Sequence, residues 1–273
     1  MDLGTLGTWR RRYEGTDGLA EIEAAGYSAV WVGASPSVAQ ARPFLEATTT
    51  MTVATGILNV WQHDPAAVAA AHAEVTDAFP GRFRLGIGIG HPEATAEYRS
   101  PLQTMRVFFD GLDAAPRPVP RDERIAAALG PKMLALAAER SLGAHTYFVP
   151  PAHTSAAREW LGPDPVIAPE VAVVVDPDPE SARATARAYA KTYLRMSNYT
   201  SNLQRYGFTQ RDIADGGSDR LIDAVIPHGP SEAVADAVRA HLEAGADHIA
   251  LQPLGKDTAG TVADLRAIAT GLL

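Results

Sequence analysis

The chain has 273 residues, 46% of them hydrophobic, and its 24 Lys and Arg against 32 Asp and Glu leave a net charge of −8. That acidic balance argues against a reader of nucleic-acid backbone, which needs a clustered basic surface, and no apolar run approaches the roughly 20 residues of a membrane span. The absence of cysteine removes disulfide frameworks, thiolate metal sites and cysteine nucleophiles, and the cytoplasm is the expected compartment, since Met1-Asp2-Leu3-Gly4 has neither the charged nor the apolar segment of an export signal.

Eight apolar runs with β-branched or aromatic residues succeed one another: Leu3 to Thr8, Ala29 to Gly33, Thr52 to Leu58, Phe83 to Ile89, Arg124 to Leu129, His145 to Val149, Val171 to Val175, and His248 to Gln252. Ala-rich stretches of helical period separate them, which is the alternation of βα units. Continuous rather than alternating hydrophobicity, as in Ala29-Val30-Trp31-Val32, predicts strands buried on both faces of a parallel sheet. Gly26, Gly143 and Gly245 stand where helices stop before the next strand, at a position that favours a left-handed residue. Val234, Val238 and Leu242, and then Val262, Leu265, Ile268 and Leu272, form core-facing helical stripes. These features predict a (β/α)8 barrel, a single domain over residues 1–273, in preference to a doubly wound sheet, whose G-x-G-x-x-G turn is missing.

Two regions break the rhythm. Ala114 to Asp122 carries Pro116, Pro118 and Pro120 and reads as a stiff loop. The second region, about 180–229, is an extended helical insertion between strands seven and eight that holds Tyr193, Asn198, Tyr199, Asn202, Tyr206 and Phe208. It serves either as surface packing or as a wall that touches substrate.

Function in a barrel gathers at the C-terminal strand ends. There the chain places Trp9 with Arg10, Arg11 and Arg12; Asn59, Trp61, Gln62 and His63; Gly90, His91 and Glu93; His145, Thr146 and Tyr147 and then His153; and Gln252. Trp9, Trp61, His63, Tyr147 and His153 are the candidate substrate contacts. No G-x-S-x-G elbow or H-E-x-x-H helix is present, which argues against hydrolysis by either device. The scattered histidines read as hydrogen-bonding groups rather than metal ligands, and Asp64 before Pro65 reads as a helix N-cap. Gly130-Pro131-Lys132 opens a helix directly after a strand, which offers free N–H groups, a positive dipole end and a cation to an anion; Thr154 and Ser155 open the next helix similarly. Gly56 lies inside a buried strand, and Gly86, Gly88 and Gly90 alternate along another, so that one strand face has no side chains. Either a flat ring lies there or neighbouring strands pack tightly.

These residues resemble the luciferase-like superfamily, in particular its actinobacterial deazaflavin (coenzyme F-420) oxidoreductases. The similarity rests on Thr55-Gly56-Ile57-Leu58-Asn59-Val60-Trp61 with Asp64-Pro65, on Gly81-Arg82-Phe83-Arg84-Leu85-Gly86-Ile87-Gly88-Ile89-Gly90-His91-Pro92, and on Ala128-Leu129-Gly130-Pro131-Lys132-Met133. It implies a barrel that binds a flavin-like ring at its mouth, with a non-proline cis peptide at Gly56–Ile57 supporting the ring and with Asn59, Gly90 and His91 beside it. Gly130, Pro131 and Lys132 would then lie near the cofactor's phosphate or ribityl chain, and relatives imply a homodimer. The chain departs from the pattern where relatives carry an acid and a histidine after strand two, having Gly33-Ala34-Ser35-Pro36 instead, and where a common acid after strand four is His91. His91 is therefore the expected proton donor or acceptor for hydride transfer to or from a small molecule. An FMN-dependent monooxygenase of the same superfamily and a non-catalytic flavin-binding barrel are the competing readings.

Overall fold

The computed structural model describes residues 3–94 and 98–272, so Met1 and Asp2, two of the four residues considered for an export signal, lie outside the described residues. Among the described residues, eight parallel strands answer to the eight apolar runs. They are Leu6–Arg11, Ala29–Gly33, Thr52–Thr55 continued by Leu58–Asn59, Phe83–Gly88, Arg124–Ala127, Gly143–His145, Val166–Ile167 continued by Glu170–Val175, and Ile249–Pro253. Each pairs with its sequence neighbours, and Leu6, Gly7 and Thr8 of the first pair with Ile249, Ala250 and Leu251 of the last. The seventh strand closes the ring, its first part pairing with the sixth strand and its second with the eighth. An isolated bridge between Tyr147 and Glu170 extends this seam. The result is the TIM-barrel-like fold that the alternation predicts.

Two strands are displaced from their runs. The first continues to Arg11, because Trp9, Arg10 and Arg11 pair with Trp31, Val32 and Gly33. Arg10 can be buried there because its Nη1 donates to the carbonyls of Gly15 and Asp17 at 3.2 and 2.7 Å. The sixth spans Gly143–His145 rather than His145 to Val149, and the chain turns away at Phe148, whose φ is 54°. Gly26 and Gly245 take the expected left-handed φ of 97° and 99° after their helices. Gly143 does not: it lies inside a strand, where a Cβ would stand 2.0 Å from the carbonyl oxygen of Val166. Close strand approach, not a helix stop, is what requires glycine there.

The strands bury both faces. Outward, Val30, Val32, Val53, Phe83, Leu85 and Ile87 join a core with helix residues such as Phe109, Leu134, Val234, Val238, Leu265 and Ile268. Inward, two tryptophans, Trp9 and Trp31, fill the barrel against the small Ala29, Ala54, Ala168 and Ala250. Trp31 stacks on His145 with centroids 4.1 Å apart and planes 9° from parallel, and its Nε1–H donates to His248 Nε2 at 3.0 Å.

Region 180–229 folds as the helices Pro179–Tyr193, Ser197–Arg205, Gln210–Ile213 and Asp219–Val225, after which comes the short strand His228–Gly229 beside Val174 and Val175. Ala182, Ala186, Leu203, Ile213, Leu221 and Ile222 join Phe148, Ala172, Val174 and Leu254 of the barrel in one apolar cluster. Among the described residues, no helix is long and apolar enough to cross a membrane.

Candidate active site

A cavity of about 540 Å³ opens at the C-terminal ends of the strands, within the range of small-molecule sites. One wall comes from the barrel: Trp9, Gly56, Ile57, Asn59, Gly90, His91 and Gly130. The other comes from the inserted helices: Tyr193, Asn198 and Tyr199. His145 and Tyr147 lie between the two.

The barrel wall is built by local backbone geometry. The Gly56–Ile57 peptide bond is cis, and Gly90 turns the fourth strand out of the sheet with φ 66°. Asn59 comes just after the bulge, and its Oδ1 accepts the N–H of Trp61 at 3.1 Å. The alternating glycines of the fourth strand do not make the open bed that one expectation allowed. A Cβ on Gly86 would stand 1.8 Å from the carbonyl oxygen of Thr55, and one on Gly88 would stand 2.7 Å from Ile57 Cδ1. Strand packing consumes both positions, and of the three only Gly90 reaches the cavity.

His91 is half-buried, with Nδ1 3.2 Å from Asn198 Oδ1 and its ring tilted against Tyr199 at 5.2 Å. Because Asn198 Oδ1 accepts, Nδ1 carries the proton and Nε2 is the basic nitrogen. Burial holds His91 below the usual imidazole pKa, opposed by the Asn198 hydrogen bond and by Glu93. Glu93 in turn accepts the N–H of Ser197 at 2.9 Å, so the loop after the fourth strand is tied twice to the helix Ser197–Arg205.

Two buried polar atoms of cavity residues lack partners among the described residues, Trp9 Nε1 and His145 Nε2. His145 Nδ1–H donates to the Ala168 carbonyl at 2.7 Å, so Nε2 is a lone-pair acceptor, and burial pushes the imidazole down to about 4. Tyr147 lines the cavity and joins Tyr189, Tyr193 and Gln252 through its hydroxyl, at 2.7, 3.0 and 3.1 Å.

Gly130 reaches the cavity at a helix start, as the sequence predicts, and the two residues that follow it do not. Pro131 opens the helix Pro131–Arg140, but Pro131 and Lys132 are exposed and do not line the cavity. The cation that reaches Gly130 is Arg205, whose Nη1 lies 3.2 Å from where a Cβ would be. Of the three arginines after the first run, Arg10 binds loop carbonyls, Arg11 pairs with Glu14 at 2.9 Å and lines the cavity, and Arg12 donates to the Ala34 carbonyl at 3.0 Å.

Three of the five candidate substrate contacts stand outside the cavity lining. Trp61 donates its Nε1–H to the Ile89 carbonyl at 2.7 Å and braces the loop from behind. His63 is half-buried beyond it. His153 is fully buried, with Nε2–H donating to the Leu129 carbonyl at 2.8 Å. It lies within the helix Pro151–Leu161, which opens at Pro151 and not at Thr154; Thr154 is buried and hydrogen-bonds His241 Nδ1 at 2.9 Å. Asp64 caps its helix as expected, accepting from Ala67 at 2.9 Å.

A family model for luciferase-like monooxygenases matches residues 13–106 and 96–248. No curated protein matches the chain. Among solved structures, an F-420-dependent secondary alcohol dehydrogenase in complex with an F-420–acetone adduct superposes with a TM-score of 0.77 at 17% identity, over 100% of both chains. The coenzyme F-420-dependent tetrahydromethanopterin reductase of Methanopyrus kandleri gives 0.76 at 14%, over 100% of this chain and 99% of the other. The oxygenating constituent of the 3,6-diketocamphane monooxygenase of Pseudomonas putida, in complex with FMN, gives 0.71 at 15%, over 100% and 98%. At these identities the likeness shows a shared fold.

Proposed function

The chain belongs to the luciferase-like monooxygenase family, and from that membership we propose that it is a deazaflavin (coenzyme F-420)-dependent oxidoreductase transferring hydride to or from a small organic substrate. The carrying observation is the cavity at the strand ends, whose lining brings together Trp9, Gly56, Ile57, His91, His145 and the helix start at Gly130, with Arg205 beside Gly130.

These residues fit a flat ring with a polar edge and an anionic tail. Trp9 Nε1–H is a donor and His145 Nε2 an acceptor, each without a partner among the described residues, so a ring bearing carbonyl and N–H groups satisfies both. Gly56, Ile57 and Asn59 would support the ring, and Gly130 with Arg205 would hold the tail by backbone N–H groups, helix dipole and cation. A bound deazaflavin supplies a carbon that gives or takes hydride. His91 presents a neutral imidazole to the same space, and its Nε2 can take up the proton that accompanies the transfer. The aromatic side chains of Tyr193 and Tyr199 keep water from the opposite side. Residues 1–273 act as one catalytic unit, with about 180–229 as its closing wall.

The second reading, an FMN-dependent monooxygenase, is favoured by the FMN-bound neighbour. Fluorescence titration with oxidised coenzyme F-420 and separately with FMN decides between them. Deazaflavin binding on the order of micromolar with much weaker FMN binding is the expected result; a carbonyl and alcohol screen then separates an enzyme from a non-catalytic barrel. Preference for FMN moves the protein to the monooxygenases, and binding of neither removes the redox reading.

A further inference from the structure

Between the substrate cavity and a second cavity of about 470 Å³ at the ends of the first and eighth strands stands a wall of hydroxyl groups ending at one buried carboxyl. Tyr147 and Tyr193 line the first cavity, while Tyr189 and Gln252 line the second. The hydroxyls are continuous: Tyr193 to Tyr147 is 3.0 Å, Tyr147 to Tyr189 is 2.7 Å, and Tyr189 to Glu170 Oε1 is 3.3 Å. Gln252 Oε1 lies 3.1 and 2.9 Å from the Tyr147 and Tyr189 hydroxyls and holds the two phenols together; each phenol has a single proton, so transfer along the wall requires those protons to turn from Gln252 toward the next oxygen. Glu170 is 1% exposed and also receives the backbone N–H of Phe148, at the turn where the sixth strand leaves the sheet.

We propose that Glu170, Tyr189 and Tyr147 form a proton relay that serves the oxygen of a carbonyl or alcohol substrate, recharged from the second cavity. This deepens the hydride-transfer reading and rests on it. In the reductive direction a bound deazaflavin would supply hydride to the carbonyl carbon, and the C=O π pair would move to oxygen. That oxygen takes the proton of the Tyr147 hydroxyl, Tyr147 is reprotonated by Tyr189, and Tyr189 by Glu170, which becomes a carboxylate. His91 Nε2 would accept the proton that such a two-electron donor releases along with its hydride. One proton is thus delivered and one collected, at two places, and each group starts in the state its task needs.

That starting state is set by the surroundings. Burial pushes the Glu170 carboxyl up to about 8, opposed by the Tyr189 hydrogen bond, the Phe148 backbone N–H and Arg11. The groups that face it are Tyr189 and Tyr193 of the first inserted helix, Tyr199 of the second, Tyr147 at the seam and Arg11 at the end of the first strand. All four phenols are held above their usual pKa, mainly by burial, so at neutral pH the wall is a set of neutral hydroxyls ending at a neutral acid.

The test uses the full chain with Glu170→Gln and Tyr189→Phe, both close in shape to the native residues. In cofactor-free protein, infrared spectroscopy should show a protonated carboxyl band at neutral pH that Glu170→Gln lacks. In Tyr189→Phe that band should persist to higher pH, because the lost hydrogen bond favoured the carboxylate. In the F-420-loaded enzyme each variant should lose turnover by about 10-fold, with an unchanged substrate KM, a reduced solvent deuterium isotope effect and, for Glu170→Gln, loss of the alkaline limb of the pH profile. A missing carboxyl band, or turnover and isotope effect equal to wild type in both variants, overturns the relay while hydride transfer stands. A wild-type chain that transfers no hydride sinks the functional reading instead, and the relay with it.

Discussion

The two walls of the cavity are made differently. The barrel wall consists of strand ends whose backbone is fixed on both sides: a Cβ on Gly86 or Gly88 would collide with Thr55, Ile57 or Ala127, and Gly90 would press on Asn59 Nδ2 at 2.9 Å. The inserted wall reaches the site through the side chains of Tyr193, Asn198 and Tyr199, with Arg205 beside Gly130, on helices that share an apolar cluster with Phe148, Ala172 and Val174 of the barrel. Shape is therefore set by one wall, while the other adds tyrosine and asparagine side chains to the polar groups of Trp9 and His91 that the barrel already presents.

Substitutions on each side should separate these roles. The largest effect is expected in the barrel wall: Gly86→Ala forces a methyl group onto the Thr55 carbonyl and should cost about 3 kcal/mol of stability in denaturant unfolding. An unchanged unfolding midpoint would mean that the strands have slack. His91→Ala should keep cofactor affinity and lose about 100-fold in turnover; full turnover would remove His91 from the chemistry. Arg205→Ala, exposed on the inserted wall, should weaken deazaflavin binding about 10-fold and flatten its salt dependence, with stability within about 0.5 kcal/mol of wild type. Equal binding at every salt concentration would leave Gly130 and its helix as the anion site alone.

The same contrast explains what could be read from the sequence. The barrel wall was legible because apolar runs mark strands, and the residues just past a run stand at the mouth: Asn59, Gly90, His91 and Gly130 all appear where that logic puts them. It failed at Trp61, His63 and His153, which also come after runs but turn behind the loop or into the next helix; the local signal for His153 was Pro150-Pro151, which starts that helix earlier. Arg205 was illegible because no periodicity links an exposed residue in one helix to Gly130, 75 positions away (205 − 130). The polar-aromatic stretch was visible as a composition, but its division into cavity residues and packing residues depends on helix orientation. Glu170 was hidden for another reason: it begins a strand whose later residues, Val171 to Val175, are apolar throughout, and nothing in the sequence marks an acid at that edge as buried.

The seam at which the barrel closes, the bridge between Tyr147 and Glu170, carries a thermodynamic linkage. An unfolded chain releases the Glu170 proton at the ordinary value of 4.5, whereas the folded barrel keeps it to about 8. Folding therefore takes up a proton throughout that window, so the favourable contribution of this group is complete below 4.5 and is lost as the pH climbs to about 8. Alkalinity puts a charge beside the pairing that closes the barrel, so the pH that draws the proton from the wall also weakens the closure of the ring.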